Sequence, residues 1–183
     1  MARSTELVKP YTPTPQPTMG DGPARGVVTG LFRKGEIGEE RGLPKRAVEE
    51  IEVDATGVVG DFNRYRHENL HDDPDSALLM IPEEILAQLR SEGWPVRPGD
   101  LGENVSSRQV PYALLQPGSR VAIGAVRAVI TRPCDPCSNL YLLPYVGEHR
   151  GLEFMKTLLN RRGWYARVLT PGRVHLRDPI VLD

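Results

Sequence analysis

Eighteen glycines and seventeen prolines make up about a fifth of this 183-residue chain, where ~12% is usual. Glycine supplies backbone conformations that side chains forbid, and proline removes a donor and fixes a dihedral. So many breaks argue for many short strands joined by tight turns and against a helical bundle. Hydrophobic residues are 39% of the chain and charged residues 26%, enough for one core without disulfide staples. One domain of ordinary size is therefore expected over residues 25–183. The formal net charge of -1 gives no bulk attraction toward nucleic acid or an anionic membrane. No apolar run approaches the ~20 residues of a membrane helix. The N-terminus has no signal-like apolar core, so a cytoplasmic location is expected. There both cysteines should be free thiols.

Residues 1–24 carry Pro10, Pro13, Pro15, Pro17 and Pro23 without any helical or strand period. They read as an extended tail, mobile or laid along the domain surface. Gly26 to Phe32 reads as a first strand, and Gly35, Gly38 and Gly42 break a charged loop after it. Val48, Ile51 and Val53 mark a second strand with Glu49, Glu50 and Glu52 outward. Residues 62–75 are polar and hold His67 and His71. A short apolar strand spans Ala77 to Ile81. Pro82-Glu83-Glu84 opens the clearest helix, with Ile85, Leu86 and Leu89 as its stripe and Gly93 as its stop. Val121 to Ile130 reads as two strands, or one bent at Gly124. Leu152, Met155, Leu158 and Leu159 lie at helical spacing, and strands return over 164–169, 174–176 and 180–182. The fold class that follows is mainly β with peripheral helices (α+β), as a mostly antiparallel, curled β-barrel.

Both cysteines lie in Thr131-Arg132-Pro133-Cys134-Asp135-Pro136-Cys137-Ser138-Asn139-Leu140, a proline-stiffened loop at the end of a strand. A Cys-x-x-Cys pair has three readings. As a redox dithiol it should open a helix whose dipole lowers one thiol pKa, and no thioredoxin pattern surrounds it. As half of a zinc site it needs two more ligands, for which His67 and His71 have a suitable spacing. As a pair of free thiols it would be buried small hydrophobes. The turns Gly57-x-x-Gly60-Asp61 and Gly102-Glu103-Asn104 match no nucleotide-binding fingerprint and read most simply as barrel corners. Arg127, Arg132, Arg161, Arg162, Arg167 and Lys45 are candidates to grip an anion, since arginine matches phosphate bidentately. A solvated surface is the expected fate of any single one, Arg161 and Arg162 in particular.

These pieces, in their order along the chain, resemble the MOSC domain, the C-terminal domain of molybdenum cofactor sulfurases that also occurs as stand-alone bacterial proteins. The matching set is Lys45, Gly57-x-x-Gly60-Asp61, a histidine and acid before Ala77-Leu78-Leu79, Gly102-Glu103-Asn104, and Gly118-x-x-x-x-Ile123-Gly124. Pro136-Cys137, Gly163-Trp164-Tyr165-Ala166-Arg167-Val168 and Gly172 complete it. The resemblance implies a closed β-barrel and a pocket for sulfur or molybdenum–pterin chemistry, with Cys137 as the residue that carries sulfur or ligates molybdenum. It further implies Lys45, Asp61, His71, Glu103, Asn104, Arg132 and Arg167 as cofactor-binding residues. Some such stand-alone proteins are tied to resistance against N-hydroxylated bases, so the resemblance implies sulfur transfer or reductive detoxification of N-hydroxylated compounds as the expected role. The chain is too short for the pyridoxal-phosphate domain of a full sulfurase, so a separate, cysteine desulfurase-like donor would be needed. Cys134 falls where many members carry arginine, which singles out Cys137. Asn139 stands where many relatives have Lys or Thr, and His71-Asp72-Asp73-Pro74-Asp75 replaces a glycine-rich run. The competing reading is a non-catalytic module in which Cys134, Cys137, His67 and His71 hold zinc.

Overall fold

The computed structural model describes residues 24–34 and 43–182. The N-terminal tail as far as residue 23 and the loop containing Gly35, Gly38 and Gly42 lie outside the described residues. In chain order the strands and helices are β1 (Ala24–Arg33), β2 (Arg46–Val48), β3 (Glu50–Asp54), β4 (Gly57–Val58) and α1 (Arg64–Leu70). There follow β5 (Leu78–Pro82), α2 (Glu83–Ser91), β6 (Val105–Arg108), β7 (Arg120–Ile123) and β8 (Val126–Pro133). The last are α3 (Gly147–Thr157), β9 (Trp164–Thr170), β10 (Gly172–His175) and β11 (Pro179–Leu182).

The strands β11, β7, β8, β9, β5, β6 and β1 pair in that order, and β1 pairs again with β11, so the sheet closes on itself. Closure removes the exposed edges that would otherwise invite aggregation. The ladders within the ring are antiparallel except β5 with β6, which run parallel. That exception follows from α2, which lies between them in the chain as a crossover connection. A small second sheet, β10-β3-β4, packs beside the barrel.

Alternation in β3 buries Ile51 and Val53 and leaves Glu50 and Glu52 exposed, so the barrel side of the strand is set by its apolar period. The interior is filled by aliphatic side chains that include Val28, Leu31, Met80, Val105, Ile123 and Ile130. Fully burying each contributes about 1.5–3 kcal/mol. A second apolar cluster joins α2 (Ile85, Leu86, Leu89) to Phe154 of α3 and to Leu140 and Leu143. Through Leu140 this cluster anchors the segment that follows the cysteines.

Within the polar stretch 62–75, to which the sequence assigned no element, α1 forms, capped by the Asn63 side chain, which accepts from the Arg66 amide at 3.1 Å. The apolar stripe expected of the helix near 152–159 needs correction. In α3 the docked residues are Gly151 and Phe154, followed by Leu158, while Leu152 and Leu159 are 68% and 57% exposed. Gly151 lies so close to the Tyr141 ring that a Cβ would overlap it. The helix docks on a face whose key residue has no side chain, and no apolar stripe records that. No helix among the described residues is long and apolar enough to cross a membrane.

Candidate functional site

β8 ends at Pro133, and the Cys134 amide then donates to the Gly163 carbonyl at 2.9 Å, tying the loop to the start of β9. Cys137 is extended and precedes a single 3-10 turn at Ser138–Leu142, whose Leu140 is fully buried. The loop is thus fixed on both sides of Cys137. The two thiols end up in different places. Cys134 is 2% exposed and packs with Leu79 and Tyr165, whereas Cys137 is half-buried and faces a cleft of about 250 Å³. Burial pushes the Cys134 thiol up, which leaves it a protonated, inert sulfur near neutral pH.

Arg162 links the two. Its Nη1 donates to Cys137 Sγ at 3.2 Å and to the Asp135 carbonyl at 2.6 Å, and its Nε and Nη2 both donate to the Leu101 carbonyl at 3.3 Å. The guanidinium is 7% exposed. Burial alone would weaken its hold on its proton, but its surroundings, the bonded Cys137 sulfur among them, more than offset that, and it stays cationic. Arg161, its neighbour, is also buried and makes a two-pronged pair with Glu92 at 2.8 and 2.9 Å. The solvated surface expected for both arginines is therefore corrected. The chain turns inward here because Gly163, at φ +92°, packs its Cα against the Met80 carbonyl, where a Cβ would collide.

Lys34 and Lys45 line the same cleft as Cys137 and Arg162, together with Tyr65 and Asn139. Lys45 Nζ bonds Asp61 Oδ2 at 2.6 Å, with both side chains nearly inaccessible. Asp61 also accepts from the Lys34 amide at 2.7 Å and from Asn104 Nδ2 at 2.8 Å. Burial would push the Asp61 carboxyl up, but the Lys45 charge and these donors hold it below the usual carboxylate range. Asn104 in turn accepts from the Leu79 amide at 3.2 Å and donates to the Phe32 carbonyl at 3.3 Å. It braces β1 against β5. Asp61 and Asn104 line a second cleft of about 270 Å³, which shares Asn63, Leu79 and Tyr165 with the first.

Of the residues singled out from the sequence, Cys137, Lys45, Arg162 and Asn139 line the first cleft, and Asp61 and Asn104 adjoin it. Glu103 is fully buried behind the turn; its Oε1 accepts from the Gly99 amide at 2.6 Å and the Ser106 hydroxyl at 3.2 Å, and burial pushes its carboxyl up. Arg132 pairs with Asp73 at 3.3 Å and lies over the Tyr165 ring at 5.5 Å. Arg167 is exposed and pairs with Asp75 at 2.5 Å, and Arg127 bonds the Gly124 carbonyl at 3.0 Å. His71 is exposed at the C-terminus of α1 with φ 48°, followed by Asp72 at φ 56°. The left-handed turn that glycine would supply is thus made by two residues with side chains. Asp72 supports it by bonding His67 Nδ1 at 2.8 Å. Glu103, Arg132, Arg167, Arg127 and His71 are absent from the walls of both clefts.

The zinc arrangement is not assembled. Among the described residues no three His, Cys, Asp or Glu side chains come together as a metal centre, and His67 is engaged with Asp72 in solvent. Arg162 was among the anion-gripping candidates but was expected on the solvated surface, while Lys34 and Tyr165 had no site role from the sequence. Arg162 and Tyr165 flank Gly163 and Trp164 of a motif already noted, which was the signal available. A doubled arginine reads as surface until the glycine beside it is seen to pack against backbone.

A model of the MOSC domain matches residues 67–181. No protein of curated function matches the chain by sequence. Among solved structures, the chain is similar to the YUAD protein from Bacillus subtilis, with a TM-score of 0.71 at 18% identity, covering 88% of this chain and 97% of that one. It is also similar to YiiM from Escherichia coli, with a TM-score of 0.59 at 22% identity over 86% of this chain and 69% of that one. YiiM from Geobacillus stearothermophilus gives the same TM-score, 0.59, at 21% identity over 86% and 73%. At such identities these likenesses speak to the fold alone.

Proposed function

The chain belongs to the MOSC domain family, and from that premise we propose that Cys137 is its working sulfur, ligating molybdenum in a bound molybdenum–pterin or carrying a transferred sulfur atom. The observation that carries the reading is the 3.2 Å bond from the buried Arg162 to a Cys137 sulfur that faces a cleft. A fixed cation beside an accessible sulfur suits a thiolate that must bind or react.

The donor set fits the cofactor that the family implies. A soft thiolate suits molybdenum better than an oxygen ligand would. Cys137 would hold the metal, while Lys34, Lys45 and Arg162 would answer the charge of the pterin phosphate. When bound, the group supplies a centre that exchanges electrons and oxygen or sulfur atoms with a substrate, and reduction of N-hydroxylated compounds is one such use. The protein's own part is to hold the sulfur in one orientation, keep its charge answered and limit water. Asp61 and Asn104 act through Lys45 as positioning residues. In the sulfur-carrying role a desulfurase-like protein would be one source of the sulfur.

The test compares Cys137→Ala with Cys134→Ser after anaerobic purification, reading molybdenum–pterin content and persulfide by mass spectrometry. Loss in the first variant and retention in the second is expected. Full retention in Cys137→Ala refutes the assignment, and equal loss in both points to a paired-thiol mechanism instead.

A further inference from the structure

We infer that the cleft beside Cys137 takes a small sulfur oxyanion bearing a sulfane sulfur, with thiosulfate as the type compound, and that this anion loads Cys137 directly. The inference rests on the sulfur-bearing reading of Cys137 and names its small-molecule donor. It begins from charge. The charged side chains among the described lining residues are Lys34, Lys45 and Arg162, all cationic and 7%, 6% and 7% exposed, and no carboxylate lines this cleft among them. Lys45 is answered by Asp61 from the adjoining cleft. Arg162 is answered by the carbonyl dipoles of Leu101 and Asp135 and by the Cys137 sulfur. A concave site walled by fixed positive charge concentrates anions, and a guanidinium binds oxyanions through charge-assisted hydrogen bonds.

The cleft of about 250 Å³ has room for a small oxyanion beside the sulfur. Chemistry narrows the class, because the nucleophile on the wall is sulfur and attacks sulfur readily by disulfide-type exchange. The Cys137 thiolate would attack the sulfane sulfur. A new S–S bond forms to Sγ, the S–S bond of thiosulfate breaks, and its electron pair leaves on sulfite. The negative charge of the thiolate passes to the terminal sulfur of the Cys137 persulfide. One sulfur atom changes partner and no oxidant or reductant is consumed. Lys34, Lys45 and Arg162 answer the dianion on arrival and the sulfite on departure.

The experiment uses the full chain, reduced and anaerobic, with thiosulfate isotopically labelled at its sulfane sulfur. The expected result is one labelled sulfur on Cys137 and one sulfite released per chain, with sulfate competing. Lys34→Gln should raise the thiosulfate concentration for half-loading about tenfold, as expected for losing one charged donor. Arg167→Gln, outside the cleft, should leave it unchanged. Glutathione persulfide serves as a second donor. Loading from it but not from thiosulfate overturns this inference and leaves the sulfur-bearing reading standing. Loading from neither overturns both. Thiosulfate loading that is indifferent to sulfate and to Lys34→Gln overturns the selection by charge.

Discussion

Arg162 keeps its charge in a place water hardly reaches because four hydrogen bonds, to two carbonyls and one sulfur, replace its hydration. Removing it would leave the Leu101 and Asp135 carbonyls without their donor. Arg162→Gln should cost about 3 kcal/mol of stability, at the low end for breaking a buried charged network, measured by urea unfolding. Lysine at this position restores the charge but not the planar fork, so only part of the loss should return. The same neighbourhood separates the two thiols, Cys134 buried and pushed up, Cys137 on the cleft. Iodoacetamide on the native protein should therefore modify Cys137 at least about tenfold faster than Cys134, since reactivity follows exposure and thiolate character. Peptide mapping reads the ratio, and comparable rates at both positions would contradict the assignment. A Cys-x-x-Cys spacing is legible in the sequence, but it says nothing of which sulfur is buried, because that depends on strands β5 and β9 meeting beneath the loop.

At the scale of elements, β1, β5 and the turn carrying Asp61 are locked by the Lys45–Asp61–Asn104 bonds. Asp61→Asn strands the Lys45 ammonium in a buried position and should destabilise by about 3 kcal/mol. The pH dependence has a definite sign. The native carboxyl is held below its ordinary value, so the contribution of Asp61 is complete above about pH 4, the unfolded range, and is lost as pH falls through the native value. Thermal unfolding from pH 6 down to pH 2 should show a steeper acid decline in the wild type than in Asp61→Asn. Parallel curves would contradict the account. Strands with alternating apolar residues, such as β3, and the helix α2 with its acids and Gly93 stop were legible because period and caps are local. β6 was not. Its Val105, Ser106 and Ser107 are all fully buried, and small polar side chains inside a barrel leave no alternation to see. The short α1 escaped for a related reason, since its cap at Asn63 holds a helix with little apolar face.

For the whole molecule, the seam between β1 and β11 closes the barrel, pairing Ala24 with Leu182 through Val27 with Pro179. Ile180 in that seam is fully buried. Truncation after Asp178 opens the ring and exposes two sheet edges, and the expected outcome is loss of cooperative unfolding. A truncated chain with a sharp thermal transition would show that closure is dispensable. A curled barrel followed from composition and turns, and its closure from the family resemblance, whereas the parallel β5–β6 contact was not foreseen, because nothing local announces which neighbour a strand will choose. The walls of the cleft likewise come from residues far apart in sequence, Lys34, Lys45, Cys137 and Arg162, and only the closed ring brings them together. The most direct test of the central claim is anaerobic mass spectrometry of the native protein with peptide-level localisation. The account predicts a sulfur increment on Cys137 or a molybdenum–pterin adduct that Cys137→Ala abolishes. An unmodified Cys137, with cofactor or sulfur retained when that residue is removed, would contradict it.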